Sequence, residues 1–277
     1  MPINSINTNI GAMIALQALN GINGELATVR ARIATGLKVA GPKDNPAVWA
    51  IAQNMRAESK SLDSVKNSLQ RGQAVVEVAL NAGEAISDIL MQMKEKVLAA
   101  TEAGLTSASR QALSDEYVAL RAQIDRIAGS ATFDGVNLVA AGGGGGVKAL
   151  ADARGGMTID VAHVDLSTGG AAVSGTRTSL TGAVGSADIA AIDAAIQAVS
   201  GALSKLGVGG KSLDRHLGFV AKLQDTIDSG VGNLVDADLG KESARLVALQ
   251  TKQQLAIEAL RIANQAPSLL LALFRRG

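Results

Sequence analysis

Apolar residues recur along most of this chain at alternating intervals of three and four. The longest early run, Leu62, Val65, Leu69, Gly72, Val76, Ala79, Gly83, Ile86, Leu90, Met93, Val97 and Ala100, keeps that interval unbroken. A 3.5-residue period held over this length predicts a coiled-coil-like helix rather than a surface helix of a globule. Gly72, Ala79 and Gly83 on the seam cost helix propensity, up to about 1 kcal/mol per glycine, and let a partner helix approach closely. The pattern returns from Leu113 to Ile127 and, most extensively, from Ile189 to Leu234. It also marks both ends. Ile3, Ile6, Ile10 and Met13 open it; Leu19, Ile22, Leu26, Val29 and Ile33 resume it after one slip; Leu246, Leu249, Gln253, Ala256, Leu260 and Ala263 carry it to Asn264, where Pro267 is expected to stop the helix.

Between these helices the rhythm fails twice. Residues 34–46 collect Gly36, Gly41, Pro42, Lys43, Asp44, Asn45 and Pro46, a break between two helices. Residues 129–186 hold 14 of the 31 glycines and two β-like pieces, TFDGVNLVA with a turn at Asp134-Gly135 and MTIDVAHVDLS. The predicted fold is mainly α: long antiparallel coiled-coil-like helices from both chain ends, with a small glycine-rich β-hairpin insert. A long helix cannot bury its stripe alone, so the two arms are expected to pack together.

Composition narrows the function. Aromatics are scarce (three Phe, one Tyr, one Trp), which disfavours a large aromatic core. A net charge of +1 with scattered basic residues argues against nucleic-acid binding. The absence of cysteine excludes disulfides, thiolate metal sites and a Cys nucleophile. The N-terminus has no basic-then-apolar signal pattern, and the longest apolar run near the C-terminus, Leu269–Phe274, is too short to span a bilayer. Export without a cleaved signal, and no membrane insertion, are the expectations.

Candidate chemistry is thin. LGVGGKS (206–212) lacks the first Walker glycine, since Lys205 stands there, and it interrupts a helical repeat. DADLGKE (236–242) starts like a calcium loop but has Val247 at the twelfth position; an acidic N-cap accounts for it. His163 and His216 have no ligand spacing and are expected to be solvated. Trp49 is expected to pack against a neighbouring arm. No catalytic constellation is visible, so neither an enzyme nor a cofactor is predicted. The apolar ends, Ile3, Ile6 and Ile10 with Leu269, Leu270, Leu271, Leu273 and Phe274, mark an interaction surface suited to a head-to-tail homopolymer.

With these residues in view, the chain resembles bacterial flagellin. The blocks INSINTN (3–9), RIATGLKVAGPKDNPAVWAIAQNM (32–55), EYVALRAQIDRIAGSATFDGVNL (116–138), DAD (236–238) and LRIANQAPSLLLALF (260–274) stand in the family's order, and with the helices between them cover about 1–138 and 187–277. The resemblance implies a hollow helical filament that acts as a propeller. Residues 1–33 and 239–277 would form an inner coiled-coil layer, 34–46 and about 228–238 a connecting spoke region, 47–130 and 187–227 the long-helix core, and 131–186 a solvent-facing insert. Polymer contacts are expected at Ile3, Ile6, Ile10, Met13, Leu260, Leu269, Leu270, Leu273 and Phe274, and the spoke loop at Gly36, Lys38, Lys43, Asp44, Asn45 and Pro46. Asp at Ile6 and Ile10, or at Leu270 and Leu273, would place charge in a dry seam.

Implied partners are further copies, alone or with other flagellins, the flagellar type III export apparatus and an export chaperone, and the hook-associated junction and cap proteins; the implied location is the extracellular flagellum. The alternatives are a hook–filament junction adaptor or a secreted coiled-coil binding module outside the flagellum. The chain departs from the family's Leu-x-Arg-Met-Arg-Glu-Leu-Ala stretch at Gln92 and Lys96, part of the surface that mammalian innate immunity reads in flagellins.

Overall fold

The structure is a computed structural model; it describes residues 8–142 and 144–274, with side chains described to Gln265. Among the described residues five helices dominate: α1 (Ile10–Thr35), α2 (Pro46–Ala100), α3 (Ser107–Ser130), α4 (Ser186–Val235) and α5 (Leu239–Phe274). Four short strands form two separate antiparallel hairpins, β1 (Thr132–Phe133) with β2 (Val136–Asn137), and β3 (Val147–Leu150) with β4 (Thr158–Val161). The chain divides into two compact units, Glu58–Thr226 and the pair Met1–Ala57 with Ile227–Gly277.

Within Glu58–Thr226, α2 and α4 run antiparallel. Lys94 pairs with Asp193 at 2.6 Å, Gln73 donates to Asp214, and Lys66 donates to Gln224 at 3.2 Å. The seam predicted from spacing is the buried face: Leu69, Val76, Ile86, Leu90, Met93 and Val97 from α2 meet Ile192, Val199, Leu206, Leu213 and Val220 from α4. Full burial of each such side chain stabilises by about 1.5–3 kcal/mol. The glycines do what the pattern implied. A Cβ on Gly83 would overlap Leu203 Cδ2 and stand 3.4 Å from Leu166 Cδ1, and one on Gly72 would stand 3.4 Å from Leu213 Cδ1. By length and composition α4 could pass for a membrane span, with a mean hydropathy of 1.3 over its most apolar window. Ile192, Val199, Leu206, Leu213 and Val220 on it are nonetheless buried within the protein, whereas Val208 and Phe219 are exposed. The stretch LGVGGKS lies inside this uninterrupted helix.

α3 follows the turn at Thr101–Thr106. Thr106 caps it by accepting from the Ser109 amide at 3.1 Å, and Tyr117, Ile124 and Ala128 face the core. The β1–β2 turn has positive φ at Asp134 (50°) and Gly135 (77°), the left-handed pair that a two-residue hairpin turn requires. Asn137 then closes the end of α3, donating to the Ala128 carbonyl at 2.8 Å.

The insert is bonded to the helices of its own unit. Leu138, Val139, Ala149, Val161, Leu166, Val173 and Leu180 are buried, and Ser68 of α2 and Ser114 of α3 accept from the amides of Leu150 and Leu180, both at 3.0 Å. Arg121 adds a clamp: its guanidinium donates to the carbonyls of Thr168, Thr176 and Arg177, while Asp125 accepts from both the amide and the hydroxyl of Thr168 at 2.8 Å. The Tyr117 hydroxyl donates to the Arg177 carbonyl at 3.0 Å, and burial raises its pKa. Both histidines correct the expectation of solvation. His163 Nε2 lies 2.8 Å from the Ala140 carbonyl and His216 Nε2 2.6 Å from that of Ala151. Each ties down an insert segment that would otherwise leave a polar backbone group half-buried and unpaired.

Candidate assembly interface

The unit built from both chain ends is made of α1, α5 and the segments that join them to α2 and α4. α1 begins at Asn9, whose Oδ1 accepts from the Ala12 amide at 3.0 Å while its Nδ2 donates to the Ala263 carbonyl at 2.7 Å. One side chain thus caps α1 and tethers it to the far end of α5. Further along, Gln253 donates to Asn23 at 2.6 Å, Arg245 pairs with Glu25 at 3.4 Å, and Arg32 pairs with Glu242 at 3.2 Å. As α1 advances its α5 partners step backward, so the two helices are antiparallel.

Their shared seam is narrow. Apart from Arg32, which reaches across to Glu242, the half-buried and buried positions on α1 are Ala12, Ala15, Leu19, Ile22, Leu26, Val29 and Ile33; on α5 they are Glu242, Leu246, Leu249, Gln253, Ala256, Leu260 and Ala263. Intervals of three and four hold throughout, the mark of a two-helix coiled coil. Only Leu26, Val29 and Leu249 among these apolar residues are sealed.

The remaining apolar residues point elsewhere. Ile10, Met13, Ile14 and Leu16 on α1 and Val247, Leu255, Ile257 and Ile262 on α5 are exposed, Met13 at 62% and Leu255 at 66%. A pair of helices this apolar on its outer faces resembles a piece of core cut from its surroundings. Of the residues expected at polymer contacts, Ile10 and Met13 are on these outer faces, and Leu260 lies on the seam within the chain. Ile3 and Ile6 lie outside the described residues, as do the side chains of Leu269, Leu270, Leu273 and Phe274. The helix itself continues through Pro267 to Phe274, which corrects the expected stop. A proline removes one amide donor and crowds the carbonyl four residues back, which can be absorbed locally without ending a helix. Ile14, Leu16, Val247, Leu255, Ile257 and Ile262 fall off the three-four register, so the seam spacing alone does not mark them.

The joint beside this pair is knitted from backbone. Gly36 ends α1 in the left-handed conformation, φ 71°, as a helix-terminating glycine does. Leu37 then forms a β-bridge with Asp236, and the amides of Lys38 and Ala237 donate to the carbonyls of Val235 and Gly36 at 2.7 and 2.8 Å. Lys38 Nζ donates to the Asn233 carbonyl at 2.8 Å, satisfying an acceptor that the end of α4 leaves open. Asp44 closes the turn by accepting from the amides of Ala40 and Gly41, and Asn45 caps α2 by accepting from Val48 at 3.1 Å, with Pro46 at the first helical position. Of the polar residues expected in the spoke loop, Asp44 and Asn45 are therefore committed to neighbouring backbone, while Lys43 stands exposed. α4 stays helical to Val235, so within the spoke region expected over about 228–238 only Asp236–Asp238 lie between helices.

Under the joint is a small core of Val39, Ala52, Val231 and Val235, against which Trp49, Val48, Met55 and Leu234 pack, as expected of Trp49. Asp238 caps α5, accepting from the Lys241 amide at 3.0 Å, the plain role foreseen for DADLGKE. Glu242 is only 9% exposed; Arg32 reaches its Oε1, whereas Oε2 is sealed without a donor among the described residues. Among the described residues no group of three or more His, Asp or Glu could hold a metal ion.

Comparison with known proteins fits this architecture at both ends. Residues 6–142 match the model of the bacterial flagellin N-terminal helical region, and residues 189–274 match that of the bacterial flagellin C-terminal helical region. Flagellin FljK of Caulobacter vibrioides is 51% identical over 99% of this chain and 100% of its own length. The flagellin of Brucella melitensis is 33% identical and flagellin C of Rhizobium meliloti 32%, each over 98% of this chain and 99% of its own. A crystal structure of Bacillus cereus flagellin aligns at a TM-score of 0.47 and 26% identity, over 55% of this chain and 88% of that one. By the extent of these matches, the chain belongs to the bacterial flagellin family.

Proposed function

We propose that this chain is the structural subunit of a bacterial flagellar filament, secreted and assembled outside the cell into a long helical polymer that serves motility. Its role is mechanical, in keeping with a family of structural proteins. The observation that carries the reading is the outer faces of α1 and α5, where Met13, Ile14, Leu255 and Ile262 remain open to water after the intrachain seam is complete. In a monomer that surface is a liability; in a tube whose inner layer is made of such pairs, neighbouring copies cover it.

The division of labour follows from the same surfaces. The terminal pair, 1–33 with 239–277, forms the inner layer; 34–46 and the short return segment form the spoke; the α2–α3–α4 bundle forms the outer core; and the insert 131–186 faces solvent. Ile3, Ile6, Ile10, Met13, Leu260, Leu269, Leu270, Leu273 and Phe274 belong to the assembly region, with Leu260 acting through the intrachain seam. The bridged joint at Gly36–Lys38 and Val235–Ala237 transmits torque between layers with little slack. Export is through the flagellar type III apparatus with a chaperone, and growth takes place between hook-associated junction and cap proteins. A junction adaptor shares these ends but does not grow open-ended polymers. The experiment is seeded polymerisation of purified monomer followed by electron microscopy. Micrometre-long filaments are expected; discrete oligomers would overturn the reading in favour of an adaptor or a binding module.

A further inference from the structure

The helical bundle of Glu58–Thr226 carries two exposed stripes that its own packing does not use. On α2, Glu77, Glu84, Asp88, Met91, Glu95 and Leu98 recur at intervals of seven, four or three, all exposed and all on the face turned away from the seam. On α4, Lys205, Val208, Arg215, Phe219 and Lys222 recur at three, seven, four and three, again exposed. The apolar members are prominent: Leu98 and Phe219 are each 58% exposed, and the ring of His216 stands beside Phe219, 5.7 Å away and tilted.

The charges are as distinctive. Among the described residues, none of Glu77, Glu84, Asp88 or Glu95 has a cationic group within 4 Å, and none of Lys205, Arg215 or Lys222 has a carboxylate there. The two lysines flanking Glu95 are taken, Lys94 by Asp193 and Lys96 by Glu116. Beneath the α4 stripe a groove of about 310 Å³ is lined by Lys205, Val208, Ser212 and, from β4, Ile159 and Asp160, the one carboxylate on its wall. One stripe is therefore acidic with an apolar thread and the other basic with an apolar thread.

We infer that these stripes are the two halves of one contact between copies: the acidic face of α2 on one subunit meets the basic face of α4 on the next. The charge signs match, each stripe offers exposed apolar residues as anchors, and each contains what the other lacks. Because the halves are different surfaces of the same chain, the contact is heterologous, propagates head to tail, and does not close on itself as a two-fold contact would. Opposed stripes also suppress the wrong pairings, since two acidic or two basic faces repel. The inference rests on the filament reading and adds to the outer faces of α1 and α5 a second contact that selects orientation.

The test uses the full-length chain and three preparations: wild type, E84K/D88K/E95K, which makes both stripes basic, and K205E/R215E/K222E, which makes both acidic. All six positions are exposed, so helical content by circular dichroism should be unchanged. If either reversal loses helix signal, the neutral sets E84Q/D88Q/E95Q and K205Q/R215Q/K222Q replace them. Wild type should polymerise from seeds, and each reversal alone should raise the critical concentration at least tenfold. An equimolar mixture of the two reversals should copolymerise, because basic then meets acidic at every contact. Folded single variants that polymerise like wild type, or a mixture that stays as inert as its components, would overturn the pairing while leaving the filament reading intact. Failure of wild type itself to polymerise would instead strike the filament reading.

Discussion

Removing Arg32 should destabilise the terminal unit more than removing its partner. Glu242 is sealed at one oxygen and meets Arg32 through the other, with side-chain exposures of 11% for Glu242 and 31% for Arg32. In Arg32→Ala the carboxylate stays buried with neither oxygen paired to a cation. Breaking a fully buried pair in this way costs about 3–5 kcal/mol, and the partial exposure of Arg32 reduces that to roughly 2 kcal/mol through solvent screening. Glu242→Leu removes the group that dislikes burial and leaves an arginine that can swing into water. Its main loss is an acidic side chain in the first turn of α5, worth about 0.3–1 kcal/mol. The double variant should resemble Glu242→Leu alone, so the two effects are not additive. Native-state hydrogen exchange of depolymerised subunits reads this locally. Protection of the α1 and α5 amides near residues 26–33 and 242–250 should fall about 30-fold in Arg32→Ala and less than about fivefold in Glu242→Leu. A Glu242→Leu effect as large as that of Arg32→Ala would refute the reasoning, because the buried carboxylate would then be a net asset even without its cation.

Three further outcomes follow from other parts of the molecule. Gly201→Ala, with nothing near its Cβ, should stabilise the subunit by up to about 1 kcal/mol through helix propensity, whereas Gly83→Ala must displace Leu203 and should be neutral or destabilising by up to about 2 kcal/mol; a raised thermal midpoint for Gly201→Ala and an unchanged or lowered one for Gly83→Ala are the readout. Gly36→Ala has open space for its methyl but must hold φ at 71°, so about 1 kcal/mol should be lost from strain alone, with protection falling at the 36–38 bridge and no repacking visible by crystallography. The Gly185 amide and Arg177 lower the pKa of Asp188, so its contribution is complete above the ordinary carboxylate range and is lost as pH falls through the depressed folded value; below about pH 4 the 177–185 segment should become more susceptible to proteolysis, and Asp188→Asn should be susceptible at every pH.

What the sequence disclosed and what it hid divide along a physical line. Periodicity located the α2 and α4 seams because burial on one helix face leaves a repeat that survives without knowledge of the partner. Turn chemistry located Asp134-Gly135, the Gly36 stop and the Asp238 cap because each is decided within four or five residues. Contacts across the chain left no such trace. That His163 and His216 hold insert carbonyls depends on where the insert folds back, and nothing adjacent to either residue records it. The strand Val147–Leu150 is too short, and too close to the glycine run, to show an alternation. Pro267 misled because its local penalty is real but smaller than the stability of the long helix containing it. The exposed apolar face of α1 and α5 was half legible: Ile10 and Met13 share the three-four interval that draws the eye, while Ile14, Leu255 and Ile262 lie beside it and stand out only once the intrachain seam is known.

The central claim is that the outer faces of α1 and α5 are completed by other copies of the chain. Its most direct test is the critical concentration for seeded growth of Ile14→Glu and Ile262→Glu, measured by light scattering and electron microscopy beside wild type. Both positions are exposed and off the intrachain seam, so each variant should fold with unchanged helical content. The account predicts that both stay monomeric at concentrations where wild type forms long filaments, because each would bury an unpaired carboxylate between subunits. Filaments of normal length at the wild-type critical concentration would contradict it.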